Sequence, residues 1–293
     1  MEAWSQFVQL LFSGLTIGSI YALVALGFVI TYSVTGILNL AQGDFAMLGA
    51  LICIALVNSG VPFVLAIGLS MMAAMVIGGL FERLAIQPAR HSSVAVLIII
   101  TIGASFVFRG IALLVWGTDP YALRPFAGGG SLSMFGAVLQ WQSVWAIVIS
   151  LASFIGLHLF FHRTYFGKAV TACVINPFAA RLMGIDIRKM SLGAIAVSAG
   201  LGALAGIVIA PISGASYDMG IMIGLKAFIA AVVGGLTNAP AAIAGAFLVG
   251  LLESFAEGYL SSGYKDAVSF GLLLLVLFVM PNGLFAKMTG KRV

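Results

Sequence analysis

Long apolar runs separated by short polar bursts organise this chain. Leu10 to Tyr32 carries no ionisable side chain except Tyr21 and Tyr32. Ser143 to Phe161 carries only His158, and Ser191 to Ala210 and Ala267 to Met280 carry none. A helix that crosses a hydrocarbon core of about 30 Å needs roughly 20 such residues. The pattern predicts helices near 7–32, 38–57, 62–82, 94–116, 143–161, 191–211, 225–236, 239–258 and 266–281. Those at 38–57 and 225–236 are short or irregular. The expected fold class is an all-α polytopic membrane protein with about 8–10 membrane helices, short or interrupted ones included. It forms a single transmembrane domain over 1–293.

Composition removes the alternatives. The chain is 62% hydrophobic and 8% charged, with a mean hydropathy of +1.17, whereas soluble domains are about 25% charged. The longest polar stretches, Gly117 to Gln142 and His162 to Met190, are too short for a separate soluble domain. The net charge of +5 does not form one basic face, so nucleic acid is not an expected partner. The basic residues mark topology instead. Arg83 and Arg90 share one loop, Arg163, Lys168, Arg181, Arg188 and Lys189 a second, and Lys287, Lys291 and Arg292 the tail. These segments, 83–93, 162–190 and the C-terminus, are expected in the cytoplasm, and the N-terminus outside. Met1 to Gln9 lacks a basic region, so the first apolar run reads as a helix and not as a cleaved signal. Trp4, Trp116, Trp141 and Trp145 fall at the outer interface on this reading, where an aromatic belt belongs. Cys53 and Cys173 lie in unlike settings and imply neither a disulfide nor a metal site. No cofactor is expected. The 36 glycines, many inside helices, read as close-packing positions.

Two polar interruptions stand out. Asn39-Leu-Ala-Gln42-Gly43-Asp44 and Gly234-Gly235-Leu-Thr237-Asn238-Ala-Pro240 each precede an apolar helix. Irregular backbone at membrane depth is tolerated only where protein buries it or it lines a wet cavity. Paired broken helices mark the substrate path in many transporters. Asn39, Gln42, Gly43, Asp44, Lys226 and Asn238 are therefore candidate pathway residues, against the simpler reading of each interruption as a turn at a membrane face. Asp44 either caps the following helix or sits in its first turn. Lys226 either faces a polar cavity or, the simpler reading, snorkels to the outer interface. Snorkelling is also expected of Arg109, and a solvated helix end of Glu253 and Glu257.

Within 162–190, Asn176 and Pro177 form a helix start and Gly184 a stop. This predicts one short helix on the cytoplasmic face with Phe178, Leu182 and Met183 as an apolar stripe. A short helix ending in Gly184-Ile, between basic residues and before a membrane segment, resembles the coupling loop of ABC-importer permeases. Asn39-Leu-Ala-Gln42-Gly43-Asp44-Phe-Ala-Met-Leu-Gly49 is similar to the Asn-(Phe/Leu)-Ala-x-Gly motif of branched-chain amino-acid permeases. Lys226 to Gly235, Tyr264 to Phe270 and Met280 to Phe285 match further segments of that family. Arg83 to Pro88 and Thr101-Ile-Gly103 fit between them in order.

The resemblance spans nearly the whole chain and points to the shorter of two paired permeases. It implies a membrane-spanning subunit of an ATP-driven importer, in a bacterial inner membrane, forming half of the path for a small hydrophobic solute. Branched-chain amino acids come first, with urea or short amides as the alternative carried by some relatives. It implies four partners: a second homologous permease, cytoplasmic ATP-binding subunits, an extracytoplasmic substrate-binding protein and membrane lipid. Pro177, Phe178, Ala179, Arg181, Leu182, Met183 and Gly184 are then the ATPase-coupling segment, although Pro177 is not a required family feature. No Gly-x-x-x-x-Gly-Lys-(Ser/Thr) run occurs, so ATP hydrolysis falls to separate subunits and the chain is not expected to be an enzyme. A secondary transporter needs intramembrane carboxylates for ion coupling, and Asp44 alone is thin support. Gly43-Asp44 and Tyr217-Asp218 hint at an intramembrane aspartyl protease, but their order is reversed and the Gly-x-Gly is absent.

Overall fold

The computed structural model describes residues 2–90, 92–126, 128–134, 136–280 and 283–284. The basic tail at Lys287, Lys291 and Arg292, and half of the last family segment, lie outside the described residues. Helix α1 (Glu2–Thr35) is apolar on every side, and such a helix belongs in a protein interior. Accordingly 89% of its membrane window is buried. It is wrapped by α5 (Trp141–Arg163), α8 (Ile187–Ser213), α9 (Met219–Gly234) and α10 (Ala239–Tyr259). On the far side of α8 pack α2 (Gln42–Asn58) and α3 (Phe63–Phe81). Helix α3 runs on into a π-helical turn at Glu82–Ile86. Helices α4 (Val94–Trp116) and α11 (Lys265–Val279) complete the bundle. Only 17% of the α4 window, and 11% of the α5 window, is buried, so these helices present apolar surface outwards.

Small residues set the spacing. Gly206 of α8 lies against the backbone of Ala46, where a Cβ would collide with the Ala46 carbonyl oxygen. Gly49 of α2 meets Ala203 in the same way. In lipid, where no hydrophobic effect drives helices together, such close backbone approach supplies the packing energy.

Seven described helices are long and apolar enough to cross a membrane, and α2, α9 and the helix Tyr165–Ile175 are shorter apolar ones. This matches the expected all-α polytopic class. Three boundaries differ. Helix α9 begins at Met219 and not near 225, because Lys226 is neutralised inside the protein and does not mark an end. The segment 162–190 holds two helices, α6 (Tyr165–Ile175) and α7 (Pro177–Leu182), where one was expected. The segment 117–142 contains a hairpin, β1 (Ser131–Met134) paired antiparallel with β2 (Ala137–Gln140). Gln9 of α1 ties this hairpin down: its Nε2 donates to Val138 O at 3.1 Å and its Oε1 accepts from Val138 N at 2.8 Å.

Candidate functional site

The first interruption forms a buried polar centre. Helix α1 ends at Thr35, and Gly36, with φ of 69°, turns the chain out of it. Asn39 Oδ1 then accepts from Ala41 N at 3.2 Å, closing an Asx-type turn. The Leu40 N–H donates to Thr101 Oγ1 of α4 at 3.2 Å. Gln42, fully buried, is bound to α8: its Nε2 donates to Ser198 O at 3.0 Å, and Ser198 Oγ lies 2.7 Å from Gln42 Oε1 and 2.8 Å from Gly27 O. Gly43 abuts the backbone of Gly220 and Gly224 on α9. Asp44 sits in the first turn of α2 without capping it, where the helix dipole favours a carboxylate. Its Oδ1 has no hydrogen-bond partner among the described residues and lies 3.7 Å from Arg109 Nε. The Asn39 Nδ2 is likewise buried without a partner among the described residues.

Arg109 corrects an expectation. It does not extend to the interface but turns inwards, donating to Ser105 O at 3.3 Å and Ser105 Oγ at 3.2 Å, with Phe106 against its guanidinium. The reason is Asp44: a buried carboxylate favours a cation beside it.

Lys226 and Glu253 correct two more. Neither is at a solvated end; Glu253 is 0% exposed. Lys226 Nζ donates to Glu253 Oε1 and lies 2.8 Å from Asp266 Oδ1. The Tyr21 hydroxyl donates to Glu253 Oε2 at 2.7 Å. One ammonium and one phenol thus satisfy the buried carboxylate and join α1, α9, α10 and α11. Glu257 does sit at the solvated end expected of it, 3.0 Å from Lys265. The sequence signals this cluster weakly, because its bonded partners are 27 to 232 residues apart. A Glu on one apolar segment and a Lys on another was the available signal.

Asn238 stands apart from both clusters. It precedes α10 without a side-chain capping bond. The six pathway candidates therefore occupy three places: the polar centre, the ion cluster and the turn before α10.

Within 162–190, α7 is capped at both ends. Asn176 Oδ1 accepts from Phe178 N at 3.1 Å and Ala179 N at 3.0 Å, capping α7, and Pro177 opens it. Gly184, with φ of 81°, ends it through Ile185 N donating to Ala180 O at 3.0 Å. Ala180 packs inwards with Cys173 and Ile187. Phe178, Leu182 and Met183 point out, Phe178 with 71% of its surface exposed. Burial pushes the Cys173 thiol above its usual range, with Arg90 pulling the other way.

A bundle with seven described helices long and apolar enough to cross a membrane defines an all-α, multi-span membrane protein. Residues 10–277 match the family described as the permease component of the branched-chain amino acid transport system. The chain is 32% identical over 98% of its length to the LivH permease protein of a high-affinity branched-chain amino acid transport system in Salmonella typhimurium, covering 97% of that protein. It is 30% identical over 96% of its length to BraD of Pseudomonas aeruginosa, a permease protein of the same kind of system, covering 96% of it. A solved structure, PsaBC from Streptococcus pneumoniae in complex with Fab, has the same fold with a TM-score of 0.52 at 14% identity, covering 96% of this chain and 97% of that one. The chain belongs to the family of branched-chain amino acid transport permeases.

Proposed function

We propose that this chain forms half of the transmembrane path of an ATP-driven importer of branched-chain amino acids in a bacterial inner membrane. A second permease supplies the other half, cytoplasmic ATP-binding subunits supply the energy, and an extracytoplasmic binding protein delivers the solute. The C-terminus lies in the cytoplasm. The observation that carries the reading is α7, a helix that exposes apolar side chains while its caps and Ala180 hold it rigid. Exposed apolar residues on a short, fixed helix suit a groove on a partner protein, and the partner of that geometry is a nucleotide-binding subunit. Closure of the ATPase would push α7, and α7 leads within five residues into α8. Helix α8 holds Gln42 of the polar centre through Ser198. Asn39, Gln42, Gly43 and Asp44 would then offer a few polar contacts between apolar walls.

The test is co-expression with the candidate ATPase and second permease, followed by purification and leucine uptake into proteoliposomes. Phe178→Asp and Gly184→Val should insert normally yet lose ATPase co-purification or ATP-driven uptake by tenfold or more. The chain alone should show no ATP-driven uptake. Full uptake and association in both variants would sink the coupling role, and uptake by this chain alone on a proton gradient would replace the ABC reading with a secondary transporter.

A further inference from the structure

A cavity of about 360 Å³ lies between the inner halves of α1 and α5, under α6 and beside the turn before α10. Its floor is apolar and buried, Leu26 and Ile30 of α1, and Val170 of α6, also buried, closes it from above. Phe154, Leu157 and Phe161 of α5 form one wall. Four of its polar groups, His158, His162, Thr171 and Thr237, are exposed and mark the mouth, and Ser33 of α1 is half-buried. The two imidazoles stack with ring centroids 4.1 Å apart. A dry slot with a polar rim fits an amphiphile whose tail enters and whose head stays outside.

Two further observations narrow the occupant. Helix α5 is an outward-facing helix, with Leu151, Ile155 and Leu159 exposed along it. The mouth therefore opens beside a surface that lipid would wet. Arg163 follows His162 directly, and Lys168 lies one turn before Thr171 on α6. Among the described residues neither takes part in an ion pair. The cations beside the mouth are thus unspent, and an anionic head would be attracted to them. None of Asn39, Gln42 and Asp44 lines the cavity, so it is separate from the polar centre.

We propose that this cavity binds an anionic phospholipid of the cytoplasmic leaflet, one acyl chain in the slot and the phosphate at His158, His162, Arg163 and Lys168. The site rests on the inner placement of α6 and on no assumption about the solute transported. Because α6 forms its roof, the lipid would brace the segment that carries α7 against α1.

The test is native mass spectrometry of the full chain released from micelles holding equal amounts of phosphatidylglycerol and phosphatidylcholine. One phosphatidylglycerol should be retained with at least fivefold preference. The Arg163→Ala/Lys168→Ala double variant should lose that preference. Ile30→Trp, which fills the slot, should lower retention of both lipids fivefold. If it folds poorly, Val174→Trp at the half-exposed mouth serves in its place. Equal retention of the two lipids by the unaltered chain, or undiminished retention in the slot-filling variant, overturns the proposal. Displacement of the lipid by millimolar leucine overturns it in favour of a solute vestibule.

Discussion

Glu253 is where a single side chain decides most. It is wholly buried, and Lys226 and Tyr21 answer its two oxygens. Removing one partner of a buried pair leaves an uncompensated charge and costs about 3–5 kcal/mol, whereas replacing both with apolar groups is often neutral. Lys226→Met should therefore lower the melting temperature sharply, and Lys226→Met/Glu253→Met should recover most of the loss. A double variant as unstable as the single one would mean that the pair does not compensate itself. Asn39 is the opposite case. Its Oδ1 closes a turn while its Nδ2 has nothing to bind among the described residues. Serine can keep the turn and delete the spare donor. Asn39→Ser should stay within about 0.5 kcal/mol of the parent while uptake falls severalfold if that amide meets the solute. Stability and transport measured on one preparation separate the two effects.

At the scale of elements, what the chain displays is its apolar length. Each long run became a helix because backbone polar groups in lipid must be satisfied within the segment. Helix α7 was equally legible, since Asn176, Pro177 and Gly184 carry their own local chemistry. Helix α6 was not, because its buried face is Gly167, Val170 and Cys173, two of them hardly hydrophobic signals. The β1–β2 hairpin was hidden among glycines and takes its bonds from Gln9, more than a hundred residues away. Packing between elements was visible only as a count of small residues, without saying which glycine mattered. Gly206 and Gly156 show the difference: a Cβ at the first meets the Ala46 backbone, and at the second it meets nothing. Gly206→Ala should cost about 1–3 kcal/mol by forcing α2 from α8. Gly156→Ala should be neutral or gain up to about 1 kcal/mol from helix propensity. Thermal unfolding of the two variants in the same detergent checks the contrast.

For the whole molecule, the clustering of basic residues predicts an orientation that is open to direct measurement. Both native cysteines are buried, so a new one can be read against a low background. Ser133→Cys in the hairpin should react with a membrane-impermeant maleimide on intact cells, and Met183→Cys only in inverted vesicles. The reverse result would invert the topology. The sequence could not show which helix lies at the centre, because every span is similarly apolar and only three-dimensional packing ranks them. The central place went to α1, and this has a consequence for synthesis. Helix α1 is made before the helices that wrap it, and its wrapping is finished late: α10, its most extensive neighbour, begins about 200 residues after α1 ends. At ordinary translation speeds that is a wait on the order of 10–40 s. During it α1 must survive in the bilayer, or at the insertion machinery, with its future interfaces bare. Its lack of charged side chains across the membrane makes that wait tolerable, and a ribosome stalled before residue 239 should leave a chain that is inserted but unfinished at its core, and marked for proteolysis.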